Sequence, residues 1–177
     1  MSYALTAYIV DFNNLKSALG SKDDLFINAV DEIILKTCED DGDEIESQKS
    51  ALRTLVNGEP LDLNEGSLYG RVLWQICKVR GEELLPDIWG DVRWEAVEVC
   101  GLEDLLTKSQ SPFGLPVSRD IPYVGCIKHH DIQTCVETVS KQMAKNRDLG
   151  ATELLEEFIT WLQAGISRKK DMIFFYG

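Results

Sequence analysis

The sequence predicts an α+β fold: a mostly helical single domain over residues 1–177, with a small sheet formed by an N-terminal strand, a strand at residues 123–127 and a C-terminal strand. Stretches rich in β-branched and aromatic residues occur at both ends of the chain and near residue 125. About seven segments with the apolar period of helices lie between them. Strands and helices therefore do not alternate as in a doubly wound fold, and the length suits one domain.

The first elements are predicted from their apolar patterns and end signals. The stretch "YALTAYIV" predicts a strand from Tyr3 to Val10. Asp11 can cap a short helix that stops at Gly20, and Ser21 is predicted to cap a longer helix. The apolar face predicted for this longer helix consists of Leu25, Phe26, Ala29, Val30, Ile33, Ile34 and Cys38.

The middle of the chain reads as helices followed by a loop. One helix carries apolar residues from Ile45 to Val56, and another runs from near Asn64 to Gly81. The stretch "DIWGDVRWEAVEVCGLEDLL" suits either a strand or helices, and we favour two short helices broken at Gly101. The prolines of "SQSPFGLPVSRDIP" predict an extended loop, because proline lacks an N–H and restrains the residue before it.

The last third is predicted to hold two strands and two helices. "YVGCI" reads as a strand, one helix follows it to Met143, and the last helix carries Leu154 to Leu162. "DMIFFYG" then closes the chain as a strand. Neither terminal strand can satisfy its backbone groups alone, so we expect both to lie in one sheet.

Negative charge is concentrated at the start of the chain. The net charge is −12, and residues 1–65 contribute −9, from 14 acids and 5 bases. A field of this sign repels nucleic acid and anionic lipid, so neither is expected as a partner, whereas a basic protein would be attracted. The residues proposed for partner binding are Asp40, Asp41, Asp43 and Glu44. Solubility alone also accounts for the excess.

These acids belong to the run "EDDGDEIE", which fails as a calcium loop. An EF-hand needs an acid at position one, glycine at position six and Glu at position twelve. With Gly42 at position six, Thr37 comes first and Gln48 last, so both ends fail. A solvated acidic turn between two helices is the expected structure.

The stretch "CIKHHDIQTC" holds both histidines of the chain and two of its five cysteines. Adjacent His129 and His130 point apart in regular structure, which argues against a tetrahedral zinc site. In an extended chain Cys126 lies ~10 Å from His129, so a nucleophilic Cys–His pair needs a tight turn to His130. We favour a helix start near Asp131 and keep Cys126, His129 and His130 as an alternative site. No metal and no cofactor are expected.

Two classes of function remain open. The sequence contains no nucleophile elbow, Walker A loop, G-x-G-x-x-G or H-E-x-x-H motif. We favour a non-enzymatic interaction protein, an immunity-like or regulatory binder with an acidic face. The alternative is a hydrolase or transferase of unknown substrate, with a site near the proline-rich loop and His130. The oligomeric state is left open.

The sequence is typical of a cytoplasmic protein. The opening "MSYALTAYIVD" lacks the basic region of a signal peptide, and no apolar run approaches the ~20 residues of a membrane span. An odd number of cysteines, spread along the chain, argues against a disulfide framework.

Three stretches resemble a family of small, acidic, uncharacterised bacterial proteins. They are "MSYALTAYIVDFNNLKSALGSKDD", "FGLPVSRDIPYVGCIKHHDI" and "KKDMIFFYG". More distantly, the chain is similar to the YfbM-like proteins, which also open with a strand, are largely helical and end on a hydrophobic strand. The resemblance implies an α+β domain in a bacterial cytoplasm and supplies no functional residues. It also implies that "CIKHHDI" is a variable strand-to-helix turn.

Overall fold

The described residues form an antiparallel sheet of four strands with helices on both faces. The computed structural model describes residues 3–38, 42–107, 112–118, 120–146 and 148–177. The strands are β1 (Leu5–Val10), β2 (Glu82–Leu84), β3 (Tyr123–Ile127) and β4 (Asp171–Tyr176). The helices are α1 (Phe12–Ala18), α2 (Asp24–Thr37), α3 (Gly42–Asn57), α4 (Gly66–Arg80), α5 (Trp94–Val99), α6 (Glu103–Thr107), α7 (His129–Lys145) and α8 (Leu149–Arg168). Short 3-10 turns occur at Ile88–Gly90 and Pro112–Gly114.

The first and last strands lie side by side at the centre of the sheet, whose order is β2-β1-β4-β3. Leu5 lies opposite Tyr176, and β3 pairs with the other edge of β4. The α+β fold and the predicted sheet of N-terminal, 123–127 and C-terminal strands are therefore confirmed. The sequence does not predict β2, because Glu-Glu-Leu has little β preference; its pairing with β1 is a tertiary effect.

Side chains alternate across the sheet and build two hydrophobic cores. Phe174 and Tyr176 of β4 face the core formed with α5 to α8, whereas Ile173 and Phe175 face the core formed with α1 to α4. Because helices cover both faces, β1 is buried at every position and β4 at every position but its first. This double burial explains why both strands read as continuous apolar runs in the sequence.

The N-cap of helix α2 lies two residues later than predicted. The Asp23 carboxylate accepts hydrogen bonds from the backbone N–H of Leu25 at 3.0 Å and of Phe26 at 3.1 Å, so Asp23 is the N-cap and the prediction of Ser21 is wrong. The Ser21 hydroxyl instead accepts from the N–H of Asp23. The predicted apolar face is also rotated, since Leu25 is 81% exposed and Ile27 is buried. The period alone does not determine which edge of the stripe packs against α3 and α4.

The ambiguous stretch after β2 forms two short helices, α5 and α6, as predicted. Gly101 separates them with a φ of +65°, a left-handed conformation that glycine adopts without strain. The predicted break at Gly101 therefore has a backbone cause.

Helix α8, the longest described helix with 20 residues, buries one face against the sheet, including Phe158 and Leu162. Its other face carries exposed polar residues. In the part of the chain that the structure describes, no helix is long and apolar enough to cross a bilayer.

Candidate functional site

Two cavities, each of about 930 Å³, hold four of the seven residues that the sequence marks for function. The first lies between α3 and α4, and we name it the acidic groove. It is defined by Asp43, Glu44, Glu46, Glu65 and Arg71, with the hydroxyls of Ser47, Ser50 and Ser67. Two of the four residues proposed for partner binding, Asp43 and Glu44, thus lie in one groove. The other two, Asp40 and Asp41, lie outside the described residues.

The acidic run is helical from Gly42 onward, so the prediction of a turn over residues 39–46 is wrong for that part. Asp43 and Glu44 occupy the first turn of α3. Negative charge is favourable there, because the unpaired backbone N–H groups of a helix start carry partial positive charge. The helix therefore holds these carboxylates in place along the groove wall.

One ion pair crosses the acidic groove. Glu44 Oε1 accepts a hydrogen bond from Arg71 Nη1 at 3.0 Å and another from Gln48 Nε2 at 3.1 Å. Arg71 is the single cationic side chain among the described lining residues, against four carboxylates. The groove is therefore acidic overall. Sequence reasoning missed Glu65 and Arg71, since no local motif marks residues that α4 brings to α3 by packing.

The second cavity lies where β3 ends and α7 begins, and we name it the strand-end cavity. It is defined by Phe12, Lys16, Phe113, Cys126, Lys128, His130 and Cys135. Of the alternative site residues, Cys126 and His130 line it together, whereas His129 is not part of its lining. The proline-rich loop contributes Pro112–Gly114 to the same wall. The fold thus brings the loop to the end of β3.

The two histidines lie at a helix start, as predicted, but the cap is not local. Helix α7 begins at His129, two residues before Asp131. The N–H of His129 donates to Asp171 Oδ1 of β4 at 2.9 Å, so a distant carboxylate caps the helix. Asp131 lies in the first turn, where its carboxylate is 3.3 Å from His130 Nε2. The described ion-pair partner of the His130 side chain is therefore its neighbour in sequence.

The thiols of the strand-end cavity are not activated. Burial raises the pKa of the Cys126 thiol above its ordinary value, and burial raises the pKa of Cys135 to about 11. A cysteine nucleophile needs the thiolate, which is favoured by a lowered pKa. The His130 side chain is 73% exposed and lies beside a carboxylate. The raised pKa values keep both cysteines in the unreactive thiol form at neutral pH.

Within the described ranges, no group of three or more His, Cys, Asp or Glu side chains is placed to hold a metal ion. The five cysteines, all within the described ranges, form no disulfide. Cys77 and Cys100 are buried, in keeping with the role of a small apolar residue in a core. These two cysteines therefore serve packing.

One comparison identifies relatives of the chain. A family model described as "Domain of unknown function (DUF7691)" matches residues 1–177. No curated protein sequence and no solved structure matches the chain.

Proposed function

We propose a function for this chain, which belongs to the DUF7691 family of domains of unknown function: it is a non-enzymatic interaction module that binds a basic partner protein through the acidic groove. Asp40 and Asp41 are proposed to belong to the same binding face as Asp43 and Glu44. An immunity-like or regulatory role, a bacterial cytoplasmic location and a distant relation to the YfbM-like proteins form part of this proposal.

The carboxylate content of the acidic groove carries the proposal. Four carboxylates line it, and the one described cation of its lining, Arg71, is already paired with Glu44. A lysine or arginine of a partner that enters the groove meets carboxylates and serine hydroxyls, all of which accept hydrogen bonds from cationic donors. The walls come from α3 and α4, so the acceptors are held on regular helices.

The charge of the whole chain supports the same partner chemistry. The net charge of −12 produces a negative field that raises the rate of encounter with a basic protein. The groove lies in the region with the densest negative charge. Long-range attraction and the local acceptors therefore favour the same class of partner.

The test requires a partner and a charge-matched control. Affinity capture from the native cytosol with mass spectrometry would supply candidates, and calorimetry with each purified candidate would measure binding. The groove variant carries Asp43→Asn, Glu46→Gln and Glu65→Gln. The control variant carries Glu137→Gln, Glu153→Gln and Glu156→Gln on the exposed faces of α7 and α8. Both lose three negative charges.

We expect the groove variant to weaken binding by about tenfold or more, and the control to weaken it by less than about threefold. Equal weakening by both variants would show that overall charge, and not the groove, governs the interaction. Unchanged binding by the groove variant would place the binding face elsewhere.

A second candidate, a hydrolase or transferase, is favoured by one observation. Cys126 and His130 line a single cavity together with the proline-rich loop. The raised pKa of the Cys126 thiol weighs against an enzyme of this kind, because the reactive form of a cysteine nucleophile is the thiolate. Thiol labelling, described in the Discussion, tests this candidate directly.

A further inference from the structure

A further cavity, of about 410 Å³, lies at one end of the sheet, where β3 begins and β4 ends. We name it the aromatic cavity, because four aromatic side chains line it: Tyr3, Trp94, Tyr123 and Tyr176. They come from the segment before β1, the start of α5, the start of β3 and the end of β4. The volume of the aromatic cavity suits a small molecule.

The four rings form one continuous aromatic wall. The ring centroids of Trp94 and Tyr123 are 4.9 Å apart, and those of Trp94 and Tyr176 are 5.2 Å apart with their planes at 69°. Tyr3 stacks on Tyr176 with centroids 5.9 Å apart. Because the face of an aromatic ring carries partial negative charge, a wall of such rings attracts cations.

Hydrogen bonds hold this wall in place. The Tyr176 hydroxyl donates to the carbonyl of Val92 at 3.2 Å, and the N–H of Val92 donates to the carbonyl of Tyr3 at 2.9 Å. The indole Nε1 of Trp94 donates to Glu98 Oε1 at 3.0 Å. Tyr176 is buried, whereas the other three rings are half-buried and keep surface that a ligand can reach. A ligand therefore meets rings whose positions are set before it binds.

The charges around the aromatic cavity also favour a cation. Two exposed carboxylates, Glu95 and Asp120, line it, against one cation among the described lining residues, Arg93. Asp120 Oδ1 accepts a hydrogen bond from the N–H of Ile121 at 2.8 Å, which fixes that carboxylate. Burial, followed by the charge of Glu95, raises the pKa of the Tyr176 phenol above its ordinary value. The negative potential that opposes a phenolate favours a bound cation.

We propose that the aromatic cavity binds a small quaternary ammonium cation, whose N-methyl groups contact the rings of Trp94 and Tyr123 and whose charge lies near Glu95 and Asp120. The two carboxylates would repel an anion, and a neutral apolar ligand would gain nothing from them. A primary ammonium is strongly hydrated, and aromatic rings do not replace its hydrogen bonds to water. A quaternary ammonium has no N–H to satisfy and interacts with ring faces through its charge.

The test uses the full chain and choline as the probe. Calorimetry at constant ionic strength, with choline up to about 10 mM, measures the affinity, and we expect a Kd of about 1 mM or below. Two analogues are measured beside it. One is the neutral carbon analogue, in which a tert-butyl group replaces the trimethylammonium, and the other is ethanolamine, which has a primary ammonium. We expect each analogue to bind about tenfold more weakly.

Two pairs of variants test the two parts of the site. Tyr123→Leu removes a ring and should weaken choline binding by about tenfold, whereas Tyr123→Phe keeps the ring and should bind within about twofold of the wild type. Glu95→Gln removes a charge beside the cavity and should weaken binding by about threefold. Its control, Glu156→Gln on the exposed face of α8, should bind as the wild type does. Thermal melting of each variant checks that it is folded.

Four results would overturn the proposal. They are no binding of choline at the concentration given, equal binding of the neutral carbon analogue, wild-type binding by Tyr123→Leu, and equal weakening by Glu95→Gln and Glu156→Gln. A short peptide with one trimethyl-lysine is titrated in parallel, because its side chain carries the same cation. If this peptide binds more than about tenfold more tightly than choline, the ligand is a methylated protein and the assignment to a small molecule is wrong.

The aromatic cavity and the acidic groove share no described lining residue. The result with choline therefore leaves the test of partner binding at the acidic groove unaffected.

Discussion

The Asp171 carboxylate accepts a hydrogen bond from the backbone N–H of His129, with Oδ1 2.9 Å from the nitrogen. Its other oxygen, Oδ2, accepts from the N–H of Phe12 at 3.0 Å. One side chain at the start of the last strand therefore satisfies the first turns of both α1 and α7. The backbone of His129 is therefore tied to the first residue of β4, the strand that pairs with β3.

Replacing Asp171 with alanine should destabilise the fold. Two helix starts lose an acceptor, and each cap contributes about 1 kcal/mol, so we expect a loss of about 2 kcal/mol in the free energy of unfolding. Urea denaturation measures it. Asp131→Ala in the exposed first turn of α7 is the control, with an expected change below about 0.5 kcal/mol. Equal losses for the two variants would contradict the capping role of Asp171.

Removing residues 173–177 should abolish cooperative folding. The deletion takes Phe174 and Phe175, both fully buried, and it breaks the pairing of β4 with β1 and β3. The loss of a single buried Phe side chain costs about 3–5 kcal/mol, and a domain has only about 5–15 kcal/mol in total. Circular dichroism during heating is the measurement. A truncated chain that melts as the intact chain does would show that the central pairing is wrong.

Iodoacetamide should label Cys126 and Cys135 slowly at pH 7. Burial raises the pKa of both thiols, and for Cys135, at about 11, roughly one molecule in ten thousand is a thiolate at pH 7. Labelling should accelerate as the pH rises and on unfolding in urea, which restores an ordinary thiol pKa. Peptide mass spectrometry follows each site. Rapid labelling of Cys126 in the folded protein at pH 7 would revive the enzyme hypothesis for the strand-end cavity.

Binding of a basic partner at the acidic groove should weaken steeply as salt rises. Exposed charges are screened over ~8 Å at physiological ionic strength, so added salt should act mainly by slowing association. Surface plasmon resonance over a salt series separates the two rate constants. The groove variant should show a shallower salt dependence, and its stability should stay within about 1 kcal/mol of the wild type because Glu44 is untouched. If the association rate constant does not change with salt for either the wild type or the groove variant, the groove does not act electrostatically.

The sequence by itself determined the fold class and most of the elements. The β-branched and aromatic run from Tyr3 to Val10, the apolar period of the long helices and the break at Gly101 all depend on neighbours within a few residues of one another. Because β1 and β4 are buried on both faces, each is a continuous run of mostly apolar residues, and such a run predicts a strand without knowledge of the fold. Local patterns therefore sufficed to predict an α+β fold with the terminal strands in one sheet.

Tertiary structure decided the distant cap of α7 and the cavities. Asp171 reaches His129 across the sheet, Glu44 meets Arg71 on another helix, and Trp94 and Tyr123 share one cavity wall. In each case the two residues are far apart in the chain, and neither forms a recognisable motif with its own neighbours. Hydrogen bonds and charge pairs act over a few ångströms in space, so only the packing of helices and strands determines which polar side chains meet.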